Sequence, residues 1–165
     1  MTNTISITLL YCALLIMTTT TTSIHAATTD SAQNAEQVSL ASLQWKHRVV
    51  IAFTHNGDSQ ALLFKEWVEA NTCGLDERDV HVHLVTDGQS MALHGPDYSL
   101  DDASVQLLVQ RRKHADQLFE MVLLGKDGGI KAYATAASAL TEFMTRIDGM
   151  PMRRSEASDQ SSGCQ

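Results

Sequence analysis

Residues Val49-Val50-Ile51-Ala52-Phe53 form a continuous apolar run that is rich in β-branched side chains. Such a run predicts a strand that is buried on both faces of a sheet. The turn Asn56-Gly57-Asp58 follows it, and Asp58 or Ser59 can cap a helix there. The apolar residues of that predicted helix recur at helical spacing, and they are Leu63, Phe64, Trp67 and Val68. The foldable part of the chain therefore opens with a strand, a polar turn and an amphipathic helix.

The same kinds of pattern predict three more strands and two more helices. A strand over residues 80–85 alternates apolar residues with His81 and His83, which is typical of an outer strand with one wetter face. A helix capped by Asp101 or Asp102 follows. Strands over residues 121–124 and 130–133 are joined at Asp127-Gly128, the pair that a two-residue hairpin turn prefers. The apolar positions of the last helix are Leu140, Phe143, Met144 and Ile147, with Gly149 as its stop.

The predicted order of elements is β-α-β-α-β-β-α. Two strands joined by a helix pair in parallel with a right-handed crossover, and the closing hairpin is antiparallel. The sequence therefore predicts an α/β, thioredoxin-like fold with a mixed four-stranded sheet flanked by helices.

Four short blocks carry a family resemblance. They are WKHR at 45–48, ERD at 77–79, LGKDGG at 124–129 and IDGMPMRR at 147–154. With these blocks, residues 40–154 resemble the domain of unknown function 4174 family, the procaryotic DUDES domain, a thioredoxin-like and peroxiredoxin-related group. The resemblance implies the fold, but it implies neither an activity nor a catalytic residue. Residues 91–99 match no part of the family pattern.

Both ends of the chain differ from its middle. An apolar run over residues 5–17 is too short for a membrane span, so residues 1–26 are predicted to be a signal peptide cleaved after Ala26. No Lys or Arg precedes the run, which leaves a hydrophobic N-terminus on a cytosolic protein as the alternative. Residues 27–39 and 155–165 are small and polar, and they predict a disordered linker and tail around a single domain over 40–154. Export would place the protein in the periplasm or outside the cell, with no membrane span after cleavage.

Charge and cysteine usage exclude several functions. The 165 residues include 12 basic and 19 acidic side chains, and this net charge of −7 argues against nucleic-acid binding. A thioredoxin-like enzyme needs a thiol at the start of the first helix, but residues 54–59 contain no Cys, and residues 116–119 lack the usual proline. Cys73 is expected at the far end of that helix. It can pair with Cys164, or Cys164 can serve an intermolecular bond.

Two groups of side chains are candidate binding residues. His55, Asn56, Asp58 and Asp87 follow predicted strands and can line a small polar pocket. Turn and cap roles explain residues 56–59 without a ligand, and we favour those roles. Lys126, Asp148, Met150, Met152, Arg153 and Arg154 form the second group. We favour an extended segment, stiffened by Pro151, from one side of which both methionines cover the end of the core, while the arginines pair with Asp148 or Asp79. The alternative is that the group is an exposed docking patch.

The histidines offer a further possibility. His81 and His83 have the i, i+2 spacing that can hold Zn²⁺ or Cu²⁺, but no third ligand lies at a diagnostic spacing, so solvated outer-strand histidines are the simpler interpretation. No catalytic residue, metal ligand or cofactor is predicted. The sequence favours an exported, non-catalytic binding module whose partner is an envelope protein or small ligand. The alternatives are a thiol oxidoreductase or peroxiredoxin-like enzyme using Cys73, and a histidine-based metal-binding protein.

Overall fold

The computed structural model describes residues 36–159 and residue 164. The strands are β1 (Glu36–Val38), β2 (Arg48–Thr54), β3 (Val80–Thr86), β4 (Gln89–His94), β5 (Tyr98–Leu100), β6 (Glu120–Leu124) and β7 (Ile130–Ala134). The helices are α1 (Leu40–Leu43), α2 (Ser59–Ala70), α3 (Thr72–Asp76), α4 (Asp102–Gln110), α5 (Leu140–Asp148) and α6 (Pro151–Asp159). None of these helices is long and apolar enough to cross a membrane. The predicted signal peptide lies outside the described residues.

The central sheet has the strand order β4-β3-β2-β6-β7. Strand β2 is parallel to β3, to which α2 connects it, and antiparallel to β6, which forms a hairpin with β7. A parallel pair joined by a helix and extended on the other side by an antiparallel hairpin is the thioredoxin-like arrangement. This confirms the predicted fold class, and all seven residues of β2 are buried as the opening run indicated.

The sheet has five strands rather than the predicted four. The additional strand, β4, pairs with β3 through a two-residue turn at Asp87-Gly88, where φ is 52° and 81°. Positive φ at both central residues is the requirement of the favoured hairpin turn. At Asp127-Gly128, where this turn was predicted, only Gly128 has a positive φ, and the longer loop is closed by a hydrogen bond from the Gly128 N–H to the Gly125 carbonyl.

The core lies on both faces of the central sheet. One face packs under α2 and α5, through residues that include Phe64, Val68 and Phe143. The other packs under α1 and α4, through Leu43, Val105 and Leu108. The predicted stripe of α2 was wrong at Leu63, which is 52% exposed, because Ala61 occupies the buried position of that turn instead.

The ordered domain extends beyond the predicted boundaries at both ends. Strand β1 lies in the predicted linker and pairs in parallel with β5. Helix α6 continues to Asp159, through the start of the predicted disordered tail and through the segment that was predicted to be extended around Pro151. Proline is well accommodated at the first position of a helix, which explains why Pro151 begins α6 instead of stiffening an extended strand.

Candidate functional site

The end of β2 carries a helix cap where a redox protein of this fold carries a thiol. The Asp58 side chain accepts a hydrogen bond from the Gln60 N–H at 2.9 Å, as an N-cap of α2 does, and another from the Thr54 hydroxyl at 3.0 Å. Both carboxylate oxygens of Asp58 are thus used within the fold. Asp58 is the cap that the sequence offered, and it leaves little capacity for a ligand.

The other members of the predicted polar pocket are exposed. The Asn56 amide donates to the Asp87 carboxylate at 2.6 Å, and His55 Nδ1 lies 3.4 Å from the Leu118 carbonyl. The structure therefore brings Asn56 and Asp87 together across the ends of neighbouring parallel strands. These contacts link the loops of an open surface, and Asp58 faces inward from them.

The four blocks of the family pattern converge at the opposite end of the sheet. Arg48 is 1% exposed and donates from Nη1 to Glu156 Oε2 at 2.9 Å and to the Arg78 carbonyl at 2.7 Å. Lys126 binds both Asp79, at 2.7 Å, and Glu156, at 2.8 Å. Burial raises the pKa of Glu156, but hydrogen bonds from Lys126 and Arg48 outweigh it and hold the pKa below its usual range. This ion-pair network joins β2, the 125–129 loop and α6.

A second set of ion pairs includes two residues of the predicted docking patch, Asp148 and Arg153. Asp148 receives hydrogen bonds from Arg78 Nε and Nη2 at 2.8 and 2.9 Å, and Arg153 Nε lies 3.7 Å from it. Arg153 and Lys126 are only 8% and 9% exposed, so neither presents its charge as an open surface.

The methionines of this block behave differently from each other. Met150 packs against the core, whereas Met152 is 42% exposed. The prediction that both methionines cover the core from one side of an extended segment was wrong for Met152. The cause is α6, because consecutive positions of a helix face different directions and i, i+2 residues do not share a face.

The histidines of β3 are internal, contrary to the predicted solvated face. His83 is fully buried and His81 is 9% exposed, because β4 covers the edge of β3 and Tyr98 of β5 packs over its face. His81 Nδ1 lies 2.5 Å from the Tyr98 hydroxyl, and His83 Nδ1 lies 3.3 Å from the Ser90 hydroxyl. Burial lowers the pKa of each imidazole to about 4, and it raises the pKa of Tyr98 to about 12. Both histidines are therefore neutral at physiological pH.

A polar cavity of about 370 Å³ adjoins these rings. It is lined by His47, Asp76, Asp79, Val80, His81, His94, Gly95 and Pro96. His47 stacks on His81 with ring centroids 3.8 Å apart, and His94 Nε2 lies 3.0 Å from an Asp76 oxygen. Gly95 is required here, because a Cβ at that position would lie 2.8 Å from the His81 ring and its φ is 103°.

A second, apolar cavity of about 160 Å³ is also lined by His47. Its apolar lining includes Leu40, Leu43, Leu107 and Leu108, and Arg111 stands beside them. An engineered cavity of about 150 Å³ accepts benzene, so this volume suits one small ring or branched aliphatic group. His47 thus lines both an apolar cavity and a polar one.

Cys73 and Cys164 form a disulfide with a Cα–Cα distance of 5.8 Å. This answers the question that the sequence left open about Cys164. The position predicted for Cys73 was wrong, because α2 ends at Ala70 and Cys73 lies in the separate helix α3. The Asn71 side chain explains the break, since it donates to the Trp67 carbonyl at 2.8 Å and takes up a group that a longer helix would use.

Sequence reasoning missed Glu156 and Tyr98. Glu156 was assigned to the tail because its neighbours in the sequence are polar. Its two partners, Arg48 and Lys126, are distant in the sequence, so no local pattern of charges reveals them. Tyr98 lay in the segment without a recognised pattern, and an alternating Tyr98-Ser99-Leu100 after the Gly95-Pro96 break was the available signal for its strand.

The chain matches a known family of protein domains. The model of a domain of unknown function, DUF4174, matches residues 39–156. The chain belongs to this DUF4174 family. The matched residues include all four blocks that suggested the family, and the match ends at the network residue Glu156. No curated protein matches the chain.

Two solved structures from Plasmodium yoelii are similar to the chain in part. Thioredoxin peroxidase I has 14% sequence identity and a TM-score of 0.47, and the alignment covers 77% of this chain and 84% of that one. Prx1a, modified at its N-terminus, has 15% identity and a TM-score of 0.43, with 78% and 87% covered. The order and the directions of the strands in this DUF4174 domain define its thioredoxin-like fold.

Proposed function

We propose that this DUF4174 protein is an exported binding module of the cell envelope and that it performs no thiol catalysis. One observation carries the proposal. The start of α2, where a thioredoxin-like enzyme uses the helix dipole to stabilise a thiolate, is capped by Asp58 instead. Placing a carboxylate there also adds a negative charge that would disfavour a neighbouring thiolate.

The cysteines support this proposal. Cys73 and Cys164 are paired with each other, and Cys73 lies in a different helix from the one that the chemistry requires. Disulfides persist in oxidising compartments, so the pair is consistent with the export that residues 1–26 predict. A thiol oxidoreductase using Cys73 is the alternative, and it would require that this bond open during turnover.

The two cavities around His47 are the binding surface that we propose for the module. Small-molecule sites combine apolar walls with a few convergent polar groups, and the Leu-lined cavity and the histidine-lined cavity together provide both. The predicted surface around Lys126 and Arg153 is a weaker candidate, because those charges are buried in ion pairs.

A turnover assay tests the absence of thiol catalysis. The purified protein is incubated with insulin and a dithiol, and separately with hydrogen peroxide and a dithiol, and neither substrate should be consumed above the dithiol background. As a matched comparison, Asn56→Cys with Ser59→Cys installs cysteines at the start of α2, and Asp58→Asn in the same variant keeps a cap but removes the carboxylate. One of the two cysteines should then show a lowered thiol pKa. Turnover by the parent protein that disappears in Cys73→Ser would overturn the proposal.

A further inference from the structure

Three metal-ligating side chains meet around the disulfide. The sulfurs of Cys73 and Cys164 and a carboxylate oxygen of Glu77 all lie within 4.8 Å of one another, the one such group of three within residues 36–159 and 164. Cys73 is in α3, and Glu77, four residues after Cys73, directly follows the end of that helix. Cys164 comes from the far end of the chain. The Cys164 N–H donates to Glu77 Oε1 at 3.0 Å, so this carboxylate oxygen faces the cystine.

We propose that these residues are a redox-gated Zn²⁺ site: the site is closed while Cys73 and Cys164 are oxidised, and reduction opens it. Two thiolates and a carboxylate are ordinary zinc ligands, and a water can complete a tetrahedron around the ion. With Zn–S bonds of about 2.3 Å, a tetrahedral ion holds two sulfurs about 3.8 Å apart. Once the sulfur–sulfur bond is broken, the two sulfurs need to move apart only to this distance, and the Glu77 carboxylate is already within 4.8 Å of both.

The surroundings of Glu77 favour its role as a ligand. Its Oε2 lies 3.6 Å from Arg78 Nη1, while Oε1 is directed to the cystine. Outer partners of this kind orient metal-ligating carboxylates. Asp148 accepts two hydrogen bonds from the Arg78 guanidinium. This carboxylate offsets the positive charge of Arg78 and reduces its repulsion of a bound Zn²⁺.

The gating step is an ordinary thiol–disulfide exchange. A dithiol attacks one sulfur of the cystine, and its second thiol releases the other, so the dithiol becomes a disulfide and Cys73 and Cys164 become thiols. Cys73 is exposed, which gives the reductant access. Zn²⁺ then displaces the two thiol protons and binds two thiolates, and the occupied site resists reoxidation because the thiolate lone pairs are engaged.

Cobalt substitution tests this site directly. The experiment uses the purified chain with Cys12→Ser, which removes the third cysteine. The protein is reduced with a phosphine, the phosphine is removed under anaerobic conditions, and the protein is then titrated with Co²⁺. We expect one Co²⁺ per chain, with the thiolate-to-metal charge-transfer absorption of a Co–thiolate site, and its displacement by Zn²⁺. Binding by the histidine cavity gives no such thiolate band. The unreduced protein should show none either.

Variants separate the ligands from their neighbours. Cys73→Ser and Cys164→Ser should each weaken the charge-transfer band strongly, and Glu77→Gln should weaken Co²⁺ binding at least about tenfold, in line with the effect of changes around metal ligands. Glu142→Gln, an exposed carboxylate on α5, is the matched control and should have no effect. Circular dichroism of the reduced protein checks that it stays folded. Absence of the band, unchanged affinity in Glu77→Gln, or loss of the fold on reduction would each overturn the proposal.

Discussion

Acidification from pH 8 to pH 5 should destabilise the domain by about 4 kcal/mol. The pKa of His81 and that of His83 are both lowered from 6.5 to about 4, chiefly because burial disfavours the charged ring. An unfolded chain restores the ordinary value, so the unfolded state binds more protons than the folded one between pH 6.5 and pH 4. At pH 5 this difference amounts to about 2 kcal/mol for each ring. Stability is therefore full above pH 6.5 and falls as the pH drops through this range.

The surrounding charges set the limits of this window. His47 and His94 face His81 and oppose its protonation, while Asp79 and Asp76 favour it, and all four effects are smaller than burial. Glu156 acts in the same direction at lower pH, because its lowered pKa gives stability that is lost only when the carboxylate protonates, below about pH 4.5. The interval from pH 7 to pH 5 consequently reports the buried histidines, and His47 adds to the same trend because burial lowers its pKa as well.

Urea unfolding followed by tryptophan fluorescence measures the effect. The free energy of unfolding is determined at pH 8, 7, 6 and 5 for the parent protein, for His83→Gln and for His55→Gln, whose ring is exposed in the parent. His83→Gln should lose about 2 kcal/mol of the pH-dependent part, whatever its effect at pH 8. His55→Gln should follow the parent. A parent protein as stable at pH 5 as at pH 7, or an unchanged pH dependence in His83→Gln, would refute the reasoning.

Three other perturbations probe the tail, the network and export. Cys73→Ser should lower stability by about 4 kcal/mol, as expected for a crosslink across 91 residues, and a thermal melt of the reduced parent should show the same loss. Glu156→Gln should cost about 3 kcal/mol in urea unfolding, because Arg48 loses its carboxylate while buried, whereas the exposed Glu142→Gln should be neutral. Residues 1–30 fused to a reporter that is active only outside the cytoplasm should give signal, and full-length fusion retained in the cytosol would contradict export.

The fold was predictable because hydrophobic period and helix caps are local signals. The β2 run, the Asp58 and Asp101 caps and the α5 stripe each need only neighbouring residues, and all of them are found in the structure. Strand β4 was missed although its turn is also local. The chain has three Asp-Gly pairs, and the hairpin was predicted at Asp127-Gly128, while Asp148-Gly149 ends a helix. The residues around Asp87-Gly88 are largely polar and give no strand pattern. A half-exposed edge strand tolerates such residues, which removes the signal.

The candidate site was less predictable because it is made by contacts across the fold. The stacking of His47 on His81 joins a loop to a strand, and the Arg48–Glu156 pair spans 108 residues. The spacing of His81 and His83 correctly placed both rings on one face of β3, but it did not show that Tyr98 covers that face. Whether a polar side chain near a strand is solvated depends on what packs over it, and no local pattern contains that information.

The convergence of the family blocks on one ion-pair network changes where a ligand should be sought. Glu156 pairs with both Arg48 and Lys126 at the end of the sheet, and Asp79 pairs with Lys126. Removal of one partner of a buried pair costs about 3–5 kcal/mol. Residues held to this extent by folding need no ligand to explain them. Among the residues that the structure describes, two buried polar atoms of these blocks have no hydrogen bond, His47 Nδ1 and Arg48 Nε. Because His47, unlike Arg48, also lines both cavities, it is the residue of the family pattern around which a ligand should be sought.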